Sequence, residues 1–247
     1  MPDAAMLEVR NLHAYRGAAH VLRGVTLAVG AAEIVCLVGR NGAGKTTTLE
    51  AIMGLVPIRA GEITFQGRAI TALPPHVRAR LGLGYAPEDC GLFPDLTVAE
   101  HLAIGFWMAR RARTDGDGHR GNGGEDRAAL IRTLFPELDR LMQRRGLLLS
   151  GGEKKMVAIS RAMATAPALL LLDEAFEGLA PVVVRRFADA VKQIKAAGVS
   201  LLVAESNVMT AAKVADRLYV IDRGEIIFSG TPDQALAADD VMRTIRG

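Results

Sequence analysis

The segment Gly39-Arg40-Asn41-Gly42-Ala43-Gly44-Lys45-Thr46 constrains this chain more than any other. It has the form G-x-x-x-x-G-K-[ST] and follows a near-continuous apolar run, Ala32 to Val38. Glycines in such a turn let the backbone bend sharply and aim its N–H groups at bound oxyanions. A helix starting at Lys45 adds the positive end of its dipole. Lys45 brings a full charge to phosphate oxygens, and the Thr46 hydroxyl is a natural ligand for Mg²⁺. The plain alternative is a glycine-rich turn carrying an exposed lysine. The strand-like run before the turn and the helical stretch Lys45 to Met53, closed by Gly54, supply the context a phosphate cradle requires.

An apolar run without alternation reads as a strand buried on both faces, as in a parallel sheet. Leu7 to Val9 and Val25 to Val29 read as earlier strands, separated by the turn-rich Tyr15-Arg16-Gly17. Ile63 to Phe65 and Leu83 to Tyr85 read as further strands. From Leu96 to about Arg145 the pattern is helical, and Thr97 with Glu100 forms a capping box at its start. Strand and helix alternate again from Ala168 to Leu172, Ser200 to Ala204 and Arg217 to Ile221, before a hairpin-like Asp222-Arg223-Gly224. The class is α/β. Thr114 to Asp126 holds five glycines and four acids and reads as a flexible surface insertion. Asp115, Asp117 and Gly118 lack the remaining ligands of a calcium loop.

Leu169-Leu170-Leu171-Leu172-Asp173-Glu174 is an apolar strand ending in two acids. Open α/β sheets place their sites at the C-terminal ends of strands. With a phosphate cradle upstream, Asp173 suits Mg²⁺ and Glu174 suits a general base for an attacking water. A solvated acid at a strand end is the ordinary alternative.

Composition removes other classes. Thirty basic residues against 27 acidic ones leave a net charge of +3, too balanced to imply nucleic-acid binding by itself. Cys36 lies inside the apolar run and Cys90 stands apart, so neither a disulfide framework nor a metal site is expected. Met1 to Arg10 lacks the pattern of a signal peptide. The longest apolar stretch, Ala162 to Leu172, falls short of the roughly 18 residues that suggest a membrane span.

Leu149-Ser150-Gly151-Gly152-Glu153, placed 23 residues before Asp173 (173 − 150), resembles the LSGGQ signature of ABC ATPases. As residues alone, Ser150 and Glu153 form a capping box, and the capped helix end is also an anion site. The resemblance runs from about Leu7 to Gly230. It implies one domain over 1–247, with a P-loop core and an antiparallel β-subdomain in 1–90 and 155–247, and a helical subdomain in about 91–154. It implies ATP held by Tyr15 on adenine, by Gly39 to Thr46 with Thr47, and by Glu88 at the Q-loop position. Ser150, Gly151, Gly152 and Glu153 would reach across a head-to-tail dimer to the partner's ATP. Glu174, Lys45 and Ser206 would be catalytic, and Thr46, Asp173 and Glu88 would serve Mg²⁺. Leu92-Phe93-Pro94-Asp95-Leu96-Thr97-Val98, Glu88, Glu153 and Gly178-Leu179-Ala180-Pro181 look most like the LivF-type ATPase of branched-chain amino-acid importers.

That resemblance implies membrane-spanning permease subunits, a second ABC ATPase subunit (the same chain or a related one) and, indirectly, a periplasmic or extracellular substrate-binding protein. Nucleic acid is not among the implied partners. The expected location is peripheral, on the cytoplasmic side of the cell (inner) membrane. Three positions depart from the family pattern. Ser206 stands where most relatives have a histidine, Ala175 replaces a proline beside Phe176-Glu177, and Ala180 replaces an aspartate. Two other readings stay open: a weakly hydrolysing module paired with a more active homologue, and a soluble ABC ATPase outside transport, such as an iron–sulphur assembly factor.

Overall fold

Leu7, Val9, Leu12 and Ala14 are fully buried, and their spacing keeps the first strand, β1, extended from Leu7 to Arg16. It pairs with the antiparallel β2, Ala19–Val29, in the computed structural model, which describes residues 5–114 and 124–246. The expected turn at Tyr15-Arg16-Gly17 therefore shrinks to the few residues between Arg16 and Ala19. Tyr15 lies within β1, opposite His20. Cross-strand burial of Ala14 and Leu22 outweighs the local turn preference.

β3 follows as Ile34–Val38. β4, Ile58–Phe65, extends further back than the sequence indicates, and β5 is the short Arg68–Ala69. β4 and β5 complete a four-stranded antiparallel sheet in the order β2-β1-β4-β5. The second sheet joins β3 to β6 (Leu83–Ala86), β7 (Leu169–Asp173), β8 (Ser200–Glu205), β9 (Arg217–Asp222) and β10 (Glu225–Gly230). Its order is β10-β9-β3-β8-β7-β6, parallel throughout except for the β9–β10 hairpin.

The helices are α1 (Lys45–Met53), α2 (Pro75–Arg80), α3 (Val98–Thr114), α4 (Gly124–Leu134), α5 (Leu138–Leu141), α6 (Gly151–Ala164), α7 (Pro181–Ala196), α8 (Val208–Ala211), α9 (Pro232–Ala237) and α10 (Asp239–Arg246). Side chains of β3 feed two cores in strict alternation. Ile34, Cys36 and Val38 enter one with α6 and α7, whereas Val35 and Leu37 enter the other, between the two sheets and around α1. The leucines of β7 divide the same way. That is why both strands read as unbroken apolar runs.

Two contacts set the frame of the site. Arg78, 2% exposed, donates to the carbonyls of Ala51 and Ile52 at the end of α1 and to those of Thr71 and Leu73. It thereby satisfies orphan carbonyls of the helix that carries Lys45. At Gly105 the backbone of α3 closes on α6, where a Cβ would lie 2.7 Å from the Ala164 Cβ.

Residues 115–123 of the expected insertion lie outside the described residues; its ends belong to α3 and to the first turn of α4. The boundary expected near residue 154 falls inside α6, which packs on α3, α4 and β6 together. Both cysteines are buried and unpaired. Among the described residues no helix is long and apolar enough to cross a membrane.

Candidate active site

α1 begins immediately after Gly44, whose φ of 113° lies in the left-handed region open to glycine. Gly39 is required for closeness instead: a Cβ there would stand 2.3 Å from the Ile221 carbonyl. These two positions bring the turn tightly against β9 and point the N-terminus of α1 at the cavity in front of it. That cavity, about 530 Å³, is lined by cradle residues from Asn41 to Thr47, with Arg16, Val21, Glu88 and Glu174 around them.

The Lys45 side chain is 5% exposed and crosses the floor of the cradle. Its ammonium donates to the carbonyls of Gly39 (2.9 Å) and Arg40 (3.2 Å) and to the Ser206 hydroxyl (2.9 Å), and pairs with Glu174 at 3.0 Å. Three N–H donors thus face four acceptors. Ser206 approaches from the end of β8. Its backbone N–H donates to one Glu174 oxygen at 3.1 Å, and its hydroxyl lies 2.6 Å from the other and 2.8 Å from the Asn41 side-chain oxygen. Glu174, one residue past β7, has φ 47° and is held by Ala204, whose carbonyl accepts from its N–H at 3.0 Å.

Behind this cluster, the Thr46 hydroxyl donates to Asp173 at 3.2 Å and the Tyr85 hydroxyl donates to the other oxygen at 3.4 Å. Burial pushes the Asp173 carboxyl up to about 6, with Glu174 and Glu88 adding to the rise and the Thr46 bond opposing it. The neighbouring Tyr85 hydroxyl is pushed up too, first by burial and then by Asp173. Thr46 and Asp173 offer two hard oxygen donors, which suits a Mg²⁺ ion that takes its remaining ligands from phosphate and water. A cation there would also relieve the electrostatic strain on Asp173.

The structure brings together Asn41, Lys45, Thr46, Thr47, Glu88, Asp173, Glu174 and Ser206, which come from four separate stretches of chain. Tyr15 stands apart from the cavity lining, with its ring stacked on His20 at 4.3 Å and 2° between planes. Ser150 to Glu153 are also absent from that lining. Ser150 caps α6 by accepting from the Glu153 N–H, and the Glu153 carboxylate accepts from the Ser150 N–H and hydroxyl at 2.8 Å each. Those bonds hold Glu153 below the usual carboxylate range. Gly151 opens onto empty space.

Sequence reasoning passed over several contributors. Arg16 donates to the Thr47 hydroxyl and pairs with Glu50, walling the cavity from β1. Glu205, 1% exposed, accepts from the Phe176 N–H, and its burial pushes its carboxyl up to about 8. Lys155 donates to the Glu174 and Glu177 carbonyls. No motif spacing marks these residues.

Residues 22–177 match the family model described as ABC transporter. The lipopolysaccharide export system ATP-binding protein LptB of Escherichia coli is 36% identical over 98% of each chain. The high-affinity branched-chain amino acid transport ATP-binding protein BraG of Pseudomonas aeruginosa is 35% identical over 92% of this chain and 93% of its own. An ATP-binding cassette of an ABC transporter, solved in its ADP conformation, superposes with a TM-score of 0.80 at 25% identity, covering 99% of each chain. The cradle, the paired acids and these likenesses agree, and the chain belongs to the ABC transporter family, as one of its ATPases.

Proposed function

We propose that this chain hydrolyses Mg²⁺-ATP as half of a head-to-tail dimer and drives a separate membrane-spanning permease. The meeting of Lys45, Glu174 and Ser206 within about 3 Å at the floor of the phosphate cradle carries this reading. Lys45 exchanges its Glu174 partner for phosphate oxygens of the nucleotide. Glu174, still held through both oxygens by Ser206, then accepts a proton from water as that water's oxygen attacks the γ-phosphorus. The bond from γ-phosphorus to the bridging oxygen breaks, and ADP leaves with the electron pair on its β-phosphate. Bound Mg²⁺, held through Thr46 and Asp173 with Glu88 nearby, supplies charge neutralisation on the phosphates. The adenine would extend beyond the cavity lining to Tyr15, whose ring is already stacked on His20.

The N-terminus of α6 supports the dimer. Ser150, Gly151 and Gly152 form a capped, open anion site that no phosphate cradle of the same chain faces, as a site serving a partner's nucleotide requires. The permease contact belongs to a mainly apolar groove of about 270 Å³ between α3, α6 and β6, lined by Leu83, Ile104 and Met108 and edged by the exposed Phe93. It adjoins the stretch from Glu88 to Leu96. A cytoplasmic segment of the permease is its proposed occupant; no described helix of this chain is long and apolar enough to cross the membrane itself. The chain would then sit peripherally on the cytoplasmic side of the membrane. Charge reversal at Asp89 or Asp95 should uncouple transport, and intact transport in those variants would argue against this docking.

For cargo we propose import of branched-chain amino acids, with a substrate-binding protein upstream of the permease. BraG and the motifs around Glu88, Leu92 to Val98 and Gly178 to Pro181 support it. Lipopolysaccharide export is a second reading, favoured by the end-to-end likeness to LptB. Hydrolysis measured against protein concentration, with Glu174→Gln alongside, tests the engine. A rate that rises faster than linearly and vanishes in the variant is expected; a rate unaffected by the substitution defeats the reading. Reconstitution with each class of permease, reading leucine uptake or lipopolysaccharide release, separates the two cargoes.

A further inference from the structure

Glu174 has φ 47°, a left-handed conformation that a non-glycine residue keeps only when its surroundings hold it. The next residue, Ala175, imposes no restriction of its own. What holds the turn comes from two distant elements. From α6, Lys155 donates to the carbonyl of Glu174 and, at 2.8 Å, to that of Glu177. From the end of β8, the Glu205 carboxyl accepts the Phe176 N–H at 3.0 Å. Phe176 is 4% exposed and Glu205 1%, so the bond lies where water cannot replace it. The residue after Glu205 is Ser206, which binds both oxygens of the Glu174 side chain. Adjacent residues of β8 and its exit thus hold the backbone at Phe176 and the carboxylate of Glu174.

We infer that Lys155 and Glu205 are positioning residues that clamp the 174–177 turn and so aim the Glu174 carboxylate. This rests on the proposed role of Glu174 as the base. The clamp also joins two halves of the site. Lys155 lies on the same helix as the Ser150 cap and Gly151, little more than one turn further on. The helix end assigned to a partner's nucleotide is therefore rigidly tied to the backbone of this chain's base. A shift of α6 on dimer formation reaches Glu174 through Lys155.

The test measures kcat, the KM for ATP and the Kd for ADP in Glu205→Met, Glu205→Gln, Lys155→Met and Glu174→Gln, with a thermal melt of each. Glutamine keeps an oxygen to accept the Phe176 N–H; methionine fills the same space without one. Lys155 is only partly buried, so its variant addresses the clamp even if Glu205→Met fails to fold. Glu205→Met and Lys155→Met should each lower kcat ten- to a hundredfold while the Kd for ADP stays within about twofold, and Glu205→Gln should restore kcat. Wild-type kcat in Lys155→Met, a parallel loss of ADP binding, or failure of Glu205→Gln to rescue would overturn the clamp. If Glu174→Gln itself turned over at the wild-type rate, the role of the base would fall, which is a separate failure from that of the clamp.

Discussion

Replacing Glu174 by glutamine should tighten ADP binding about tenfold while removing hydrolysis. In the structure the Lys45 ammonium has four acceptors within 3.2 Å, and Glu174 at 3.0 Å is the one carrying a full charge. Nucleotide must draw Lys45 away from that carboxylate. A hydrogen bond to a charged group contributes about 1.5–3 kcal/mol, and the amide oxygen of glutamine still accepts from the Lys45 ammonium but brings no charge of its own. Glutamine therefore weakens the competing contact by roughly 1–1.5 kcal/mol, close to a factor of ten in Kd. Turnover should fall by 100-fold or more with loss of the base. Calorimetric titration of ADP in the presence of Mg²⁺, repeated in a Lys45→Met background, isolates the pair as a double-mutant cycle. Equal or weaker ADP binding by Glu174→Gln would refute the competition. So would a gain that survives unchanged without Lys45, because it would trace to simple repulsion between carboxylate and phosphate.

Ser206→Ala removes the hydroxyl 2.6 Å from Glu174 but keeps the backbone N–H on the other oxygen, so kcat should drop about five- to tenfold with the KM for ATP little changed. Unchanged kcat in steady-state assays would show that the hydroxyl does not hold the base. Arg78→Met strips the donor from four backbone carbonyls; at about 1 kcal/mol each, urea denaturation should show a loss of roughly 3–5 kcal/mol. A loss below 1 kcal/mol would mean that other groups satisfy those carbonyls. Glu205 has a folded pKa of about 8 against an ordinary value of 4.5, so the folded state retains a proton that the unfolded chain gives up between those values. Its contribution is present in full below about pH 4.5 and is lost as pH rises toward 8. Relative to wild type, Glu205→Gln should gain stability from pH 5 to about pH 8 and level off above it, by a few kcal/mol at most. A difference in melting temperature that does not vary with pH would contradict the shifted carboxyl.

The chemistry legible in the sequence is the chemistry that local backbone geometry demands. Gly44 and Lys45 are adjacent because a left-handed residue must open the helix that presents the lysine. Asp173 and Glu174 sit at the end of a leucine run because both faces of β7 are buried and its C-terminal edge opens on the site. The capping boxes at Thr97 and Ser150 were readable for the same reason: cap and partner lie three residues apart. Beyond that range residue spacing offers no signal, and Ser206 is reached only through its match to a family position. Ser206 meets Lys45 across 161 residues and Glu174 across 32, and Arg16 reaches Thr47 across 31. Tyr15 could be matched to a family position, yet its place in β1 against His20 depended on cross-strand pairing. The strand order β3-β8-β7 decides how Lys45, Glu174 and Ser206 meet, because a parallel sheet sets the C-terminal ends of remote segments side by side about 4.8 Å apart. No window of sequence encodes which strands become neighbours. The cradle and its acids were settled by residues in series, and the company that Glu174 keeps was settled by the sheet.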